Sequence, residues 1–226
     1  MAKLRFFLDF DGTIAQSDVV DLILERFGMR QWTEIERLWL QGKIGSRECL
    51  SRQMDLVSAT QEELKALVDE VGVDPHFADF LAAAKNLEVP VVIVSDGFDV
   101  VINRILKRAL AHAPELLMDL PVYSNGLRRT ATGYKALFPE GPLCEHACAN
   151  CKVRVMRSVA GKDERVIFVG DGMSDRFAAR TADVTFAKNR LLKFCREKEI
   201  PHLPYASFRD VEAWLAKEKE GSHALV

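Results

Sequence analysis

The sequence has no segment able to cross a bilayer. Spanning one takes roughly 20 consecutive apolar residues, and every apolar run here is broken by charge long before that. An excess of either charge is also lacking. Lys plus Arg is 31 and Asp plus Glu is 33, a formal net charge of −2. That balance speaks against the basic surface that nucleic acid or an anionic membrane requires, so neither is an expected partner. Cysteine is scarce at five, an odd number that does not suit a secreted disulfide framework. The N-terminus enters an apolar strand pattern without the marks of a secretory signal, so a cytoplasmic location is expected. What is plentiful is core material: 226 residues, 48% of them hydrophobic. The chain is long enough for one large domain or for a core with an insertion. A monomer or homodimer acting on a small molecule is the expectation.

The stretch Leu4 to Thr13, LRFFLDFDGT, carries the first chemical signal. Leu4, Phe6, Phe7 and Leu8 read as a buried parallel strand. The strand then ends in Asp9 and Asp11, followed by Gly12 and Thr13. Two acids at this spacing point to the same side of an extended backbone. They repel unless a cation or a proton lies between them. An Asp- and Gly-rich surface turn is the blander reading of these residues taken alone.

Helical periodicity follows for most of the next 75 residues. One face holds Val19, Ile23, Leu24 and Phe27. The next holds Trp32, Ile35, Leu38 and Trp39, an aromatic stripe expected in a core. A third helix opens at Ser46, and Thr60 with Glu63 forms a capping box for a fourth. Asp74-Pro75 starts a helix through Phe77, Phe80 and Leu81 that returns the chain to the sheet. Val91–Val94 and Val166–Val169 read as further buried strands, ending in Ser95-Asp96-Gly97 and in Gly170-Asp171-Gly172-Met173-Ser174-Asp175. Asn125-Gly126 suggests a hairpin turn. Val184 to Phe186 reads as one more short strand. The fold expected is α/β: a Rossmann-like parallel sheet core, residues 1–14 and 89–226, with an inserted helical cap at 15–88.

Parallel strands bring their carboxyl ends to one edge, where open α/β sheets place their chemistry. Asp9, Asp11, Asp171 and Asp175 would therefore converge there. An all-oxygen, carboxylate-rich site favours Mg²⁺.

This arrangement resembles the haloacid dehalogenase-like phosphohydrolases over nearly the whole chain. DFDGT stands at the family's first motif, SDG at its second, Lys152 at its third and GDGMSD at its fourth. The resemblance implies that Asp9 is the nucleophile and that Asp11 is the general acid and base. It implies that Ser95, Asp96 and Gly97 bind the substrate's phosphoryl end, and that Lys152 neutralises charge, with Arg154 as its fallback. Asp9, Asp11 through its main-chain carbonyl, Asp171 and Asp175 would hold Mg²⁺. The implied reaction is Mg²⁺-dependent hydrolysis of a small-molecule phosphate ester through an aspartyl-phosphate. The helical insertion sits where the family's type-one cap sits. Phosphoserine phosphatases share this layout but carry a Glu at the place of Asp18 and an Arg near Gln53, with Arg52 one residue away. Asp18 is thus a candidate for binding the leaving group.

FAKNRLLKFCREKEIPHLPY, GDGMSD and the cysteine-rich approach to Lys152 are similar to the methionine-salvage phosphatases that act on 2-hydroxy-3-keto-5-methylthiopentenyl-1-phosphate. Phosphoserine, phosphocholine, phosphoethanolamine and pyridoxal phosphate stay open as substrates, as do a phosphomutase and a catalytically silent binding protein. Cys144, His146, Cys148 and Cys151 could hold a zinc ion, or form a reduced thiol cluster.

Overall fold

A computed structural model of the chain describes residues 3–223. Seven strands form one sheet in the order β4-β3-β2-β1-β5-β6-β7. They are β1 (Lys3–Leu8), β2 (Val91–Phe98), β3 (Val122–Arg129), β4 (Tyr134–Leu137), β5 (Glu164–Gly170), β6 (Val184–Ala187) and β7 (Leu203–Pro204). All pairings are parallel except β3 with β4. The strand β1 lies at the centre, between β2 and β5, which is why its residues read as a continuous apolar run.

Alternation along β1 sends Phe6 and Leu8 to one face and Phe7 to the other. On the first face lie α5 (Phe77–Asn86), α6 (Asp99–Ala109), the short α7 (Glu115–Met118) and α11 (Phe208–His223). Phe80 is the hinge of an aromatic cluster there. Its ring lies 5.2 Å from Phe6 and 5.2 Å from Phe208, and Phe208 is 5.2 Å from Phe77. The second face is covered by α8 (Lys152–Val159), α9 (Arg176–Ala179) and α10 (Asn189–Glu197), which seal Phe7, Val92 and Phe168 under Val155, Met156, Leu191 and Cys195.

Four helices separate β1 from α5: α1 (Val19–Phe27), α2 (Trp32–Leu40), α3 (Ser46–Met54) and α4 (Gln61–Glu70). The Thr60–Glu63 capping box at α4 is present with both reciprocal bonds. The chain enters and leaves this bundle side by side. Ala15 and Val73 form an antiparallel bridge, and the Gln16 amide donates to the Gly72 carbonyl at 2.9 Å.

Two expectations need correction. The hairpin turn lies at 130–133, closed by Thr130 N–H donating to the Gly133 carbonyl, and not at Asn125-Gly126. Asn125 is buried in the middle of β3, where its side-chain amide donates to the Asp96 carbonyl at 2.6 Å. A tertiary bond has overridden the turn preference of Asn-Gly. Trp39 also departs from expectation. Trp32 packs on the core, but Trp39 faces a cavity between the helices and the sheet.

Because Phe80 is fully buried and joins two elements to the sheet, Phe80→Ala should cost about 3–5 kcal/mol in a urea unfolding titration. A cost below about 1 kcal/mol would contradict the central place given to this ring.

Candidate active site

The carboxyl ends of β1, β2 and β5 meet at one edge of the sheet, where three of the four predicted acids cluster and Asp11 does not join them. Asp9 follows β1 directly, its amide donating to the Val169 carbonyl of β5 at 2.9 Å. Carboxylate oxygens of Asp9, Asp171 and Asp175 lie within 4.8 Å of one another. Lys152, the first residue of α8, puts its ammonium between two of them. Nζ is 2.6 Å from Asp9 Oδ1 and 2.5 Å from Asp175 Oδ1. All three of these side chains are at most 5% exposed. Arg154, the fallback for Lys152, turns away and donates to the Pro142 carbonyl.

Each acid is aimed by backbone. Asp9 Oδ1 also accepts from the Phe10 amide at 2.8 Å. Asp175 Oδ2 accepts from the amides of Asp171 and Gly172, both at 3.0 Å, so both its oxygens are already used inside the protein. Asp171 receives the Asn189 side-chain amide at 3.2 Å, and its carbonyl accepts from Leu191 N–H at 2.7 Å. Gly12 has φ +67°, and a Cβ there would fall 2.3 Å from Asp171 Oδ2. Both the backbone and the carboxylate demand glycine at this position.

Asp11 points away from the three-acid cluster. Its Oδ1 accepts from Val19 N–H at 3.0 Å and its Oδ2 from the Ser95 hydroxyl at 3.3 Å. Ser95 Oγ in turn accepts from Gly97 N–H at 2.8 Å. A Cβ on Gly97 would lie 2.5 Å from Asp11 Oδ2, so the approach of β2 to Asp11 also depends on a missing side chain. Asp96 Oδ1 accepts from the Asn150 amide at 3.1 Å, and the Asn150 side chain donates to the carbonyls of Ser95 and Tyr123. Asp18 caps α1 by accepting from Asp21 N–H at 3.0 Å.

Burial raises the pKa of Asp9, Asp11 and Asp171 alike. Burial, then the charge of Asp175, drives the Asp9 pKa well up against the pull of Lys152. Burial and Asp175 likewise raise Asp171 to about 6. Burial followed by the charge of Asp18 raises Asp11 to about 8. Burial alone would lower Lys152, but Asp175, Asp9 and Asp96 override it and keep the ammonium charged. Three carboxylates facing one ammonium leave two negative charges uncompensated, the charge of one divalent cation. The donors are hard oxygens in a buried pocket, which fits Mg²⁺.

A cavity of about 380 Å³ opens from these acids toward the helices. Asp11, Asp18, Ser46, Gly97 and Arg190 line it, together with Asp21, Glu36, Trp39, Leu50 and Gln53 from α1, α2 and α3. Gln53 is buried and donates to Glu36 at 3.1 Å, whereas Arg52 lies on the outer side of α3 beside Glu48. Sequence reasoning missed Asp21, Glu36, Trp39, Asn150, Asn189 and Arg190. Asn189 carried one usable signal, standing directly after FAK at the end of β6; the others look like ordinary helix or loop residues.

Known proteins share this plan. A 2-hydroxy-3-keto-5-methylthiopentenyl-1-phosphate phosphatase of Brevibacillus brevis is 29% identical over 213 residues, covering 92% of this chain and 93% of that protein. A protein of the same name from Lysinibacillus sphaericus is 28% identical over 233 residues, 99% of this chain and 98% of its own. Among solved structures, a substrate-bound phosphoserine phosphatase superposes with a TM-score of 0.71 at 20% identity, covering 95% of this chain and 99% of that one. At that identity the superposition speaks for the fold. A model of haloacid dehalogenase-like hydrolases matches residues 6–180, a span that takes in every acid of the cluster and the lysine among them. The chain belongs to the haloacid dehalogenase-like hydrolase family.

Proposed function

We propose that the protein hydrolyses a small phosphomonoester at the edge of the sheet, with Asp9 as nucleophile and Asp11 as proton carrier. The observation that carries this reading is the contrast between two acids two residues apart. Asp9 lies 2.6 Å from the Lys152 ammonium, whereas Asp11 lies outside the cluster, against the Val19 amide and the Ser95 hydroxyl, and lines the cavity. Burial raises both pKa values, but only Asp9 has an ammonium in contact to favour its carboxylate, so Asp11 is the acid suited to carry a proton at neutral pH.

In the first step an oxygen of Asp9 attacks phosphorus and the bond from phosphorus to the leaving oxygen breaks. Asp11 gives its proton to that oxygen, releasing an alcohol and leaving an acyl phosphate on Asp9. In the second step Asp11, now a carboxylate, takes a proton from water. The water oxygen attacks phosphorus and Asp9 departs as carboxylate with inorganic phosphate. Lys152 offsets negative charge on Asp9 and on the phosphoryl group throughout. Ser95 and the amide of Gly97 would hold phosphoryl oxygens in exchange for their present bonds to Asp11 and to each other, and Asn150 fixes the Asp96 segment beside them. Mg²⁺ would be held by Asp9, Asp171 and the Asp11 carbonyl, with Asp175 positioning Lys152 and the Asp171 turn. When bound it supplies positive charge to the phosphoryl oxygens and balances the acidic cluster.

The helices α1 to α4 form the cap in this reading. The helix α5 packs its phenylalanines on the sheet and belongs with the core, so the inserted unit ends near Val73 rather than at residue 88. The bridge between Ala15 and Val73 then marks where the chain enters and leaves it. A cavity of about 380 Å³ admits a small leaving group. The curated relatives, matched over more than nine-tenths of the chain, make the methylthiopentenyl phosphate of methionine salvage the first substrate to test. One observation favours a second reading. Asp18, Asp21 and Glu36 face the cavity with Arg190 beside them, and this acidic lining suits a cationic leaving group such as choline or ethanolamine.

Phosphate release from a panel of these esters should require Mg²⁺ and stop with EDTA. Asp9→Asn should abolish it while leaving the circular dichroism spectrum unchanged; full turnover in that variant would exclude the mechanism. Preference for the methylthiopentenyl ester or for the amino-alcohol esters decides between the two substrate readings. Gly12→Ala should lower kcat on the order of 100-fold, because the added methyl displaces Asp171 by a fraction of its own width. Near-normal kcat in that variant would show that Asp171 need not sit where it does.

A further inference from the structure

Residues 138–151 carry neither helix nor strand, yet they deliver Asn150 and then Lys152 to the active site. A connection of this length without structure of its own needs something to hold it. Within it the sulfurs of Cys144, Cys148 and Cys151 lie within 4.8 Å of one another, and all three are free thiols. One disulfide could satisfy only two of them.

We propose that Cys144, Cys148 and Cys151 bind a zinc ion that staples this loop beneath the active site. Thiolates on a tetrahedral zinc, with bonds of about 2.3 Å, are about 3.8 Å apart, which matches a cluster this tight. A four-iron cluster needs its thiolates on separate iron atoms and hence spread more widely. Burial holds Cys148 and Cys151 as thiols without a metal, so a cation must displace their protons, and the local contacts then favour the sulfur charge. Cys148 N–H donates to Cys144 Sγ at 3.3 Å, and Ala147 N–H donates to the Cys144 carbonyl at 2.9 Å, closing the turn around the sulfur. Cys151 is the N-cap of α8, where the helix presents unpaired amides and the positive end of its dipole. Arg176 and Arg154 place positive charge near Cys148 and Cys151.

His146 is not part of this set. Its ring is stacked on Phe177 at 3.6 Å and its Nε2 faces Glu145 at 3.0 Å. The fourth position instead opens to a cavity of about 840 Å³ lined by all three cysteines, from which a water can complete the tetrahedron. Soft sulfur ligands here and hard carboxylates at the catalytic edge sort two metals without competition.

The staple would position two parts of the enzyme. On one side Asn150 reaches Asp96, Ser95 and Tyr123, and Lys152 follows Cys151 directly into the acidic cluster. On the other the loop meets α3, with Ala149 N–H on Ser46 Oγ at 2.8 Å and Arg47 N–H on the Ala147 carbonyl at 3.2 Å.

The test is the metal content of the full chain, together with its spectrum after cobalt exchange. Wild type and Asp9→Asn should each hold about one zinc per chain. Both should show the intense sulfur-to-cobalt charge-transfer absorption that only thiolates give. Cys148→Ser and Cys151→Ser should lose the band and retain less than about a tenth of the zinc. Because a variant could misfold, the wild type is also read alone. Removing its zinc with a chelator should speed the reaction of its thiols with a disulfide reagent at least about tenfold. Three results would overturn the proposal: wild type that holds no zinc and gives no thiolate band with cobalt, zinc lost in Asp9→Asn but kept in Cys148→Ser, or a disulfide within the trio in freshly isolated protein.

Discussion

A single ammonium group holds the centre of this molecule together. Lys152 Nζ sits between Asp9 at the end of β1 and Asp175 after β5, and all three side chains are at most 5% exposed. A buried charge is tolerated only when it is paired and hydrogen-bonded, so this contact fixes where the start of α8 and the turn after β5 must lie. Asp175 passes the constraint on through its second oxygen, which gathers the amides of Asp171 and Gly172. The aim of Asp171 therefore depends indirectly on Lys152. Even so, the cluster stays too negative for its depth. The raised pKa values of Asp9 and Asp171 express a demand for positive charge that the protein's own side chains leave unmet.

Around that pair the fold divides its labour. The sheet edge supplies groups that do not depend on the leaving group: two acids from β1, a hydroxyl and an amide from β2, a lysine from α8. The helices between β1 and β2 supply the walls of the cavity, and their residues differ in kind, with Trp39 and Leu50 beside Asp21 and Glu36. In the proposed reaction the core would supply the chemistry and the insertion the walls that meet the leaving group. The two are joined by the bridge from Ala15 to Val73, by Arg104 on Asp69 and Arg108 on the Val68 carbonyl, by Tyr134 on the Thr60 carbonyl, and by the contacts of the 144–151 loop with α3.

How much of this can be read from the residues alone depends on range. Strands β1, β2, β5 and β6 are runs of apolar residues that stop at polar clusters, and parallel topology then forces those clusters together. Asp9, Asp11, Ser95 and Asp171 follow from that reasoning without any distance. The capping box at Thr60 is equally local. What fails is whatever depends on a contact distant in sequence. Asn125-Gly126 has the chemistry of a turn, but the Asp96 carbonyl, 29 positions away, claims the Asn125 side chain and keeps the strand running. The stripe from Trp32 to Trp39 has the period of a core face, and only the docking of the bundle decides that Trp39 faces a cavity. Asn150 looks like any loop asparagine until three of its bonds are seen. Asp175 is legible as an acid of the cluster, but its work in holding Lys152 and the Asp171 turn is not, because that depends on which of its oxygens meets which partner.

The central claim is that Asp9, held by Lys152, becomes covalently phosphorylated while Asp11 carries the proton. The most direct measurement is chemical trapping of the enzyme during turnover. Borohydride reduces an acyl phosphate to an alcohol and leaves a free carboxylate untouched. Rapid quenching into borohydride, followed by peptide mass spectrometry, should find homoserine in place of Asp9 only when substrate and Mg²⁺ are both present. Homoserine at another acid would move the nucleophile elsewhere. Efficient turnover with Asp9 recovered intact at every quench time would contradict the covalent route, and water attacking the ester directly would take its place.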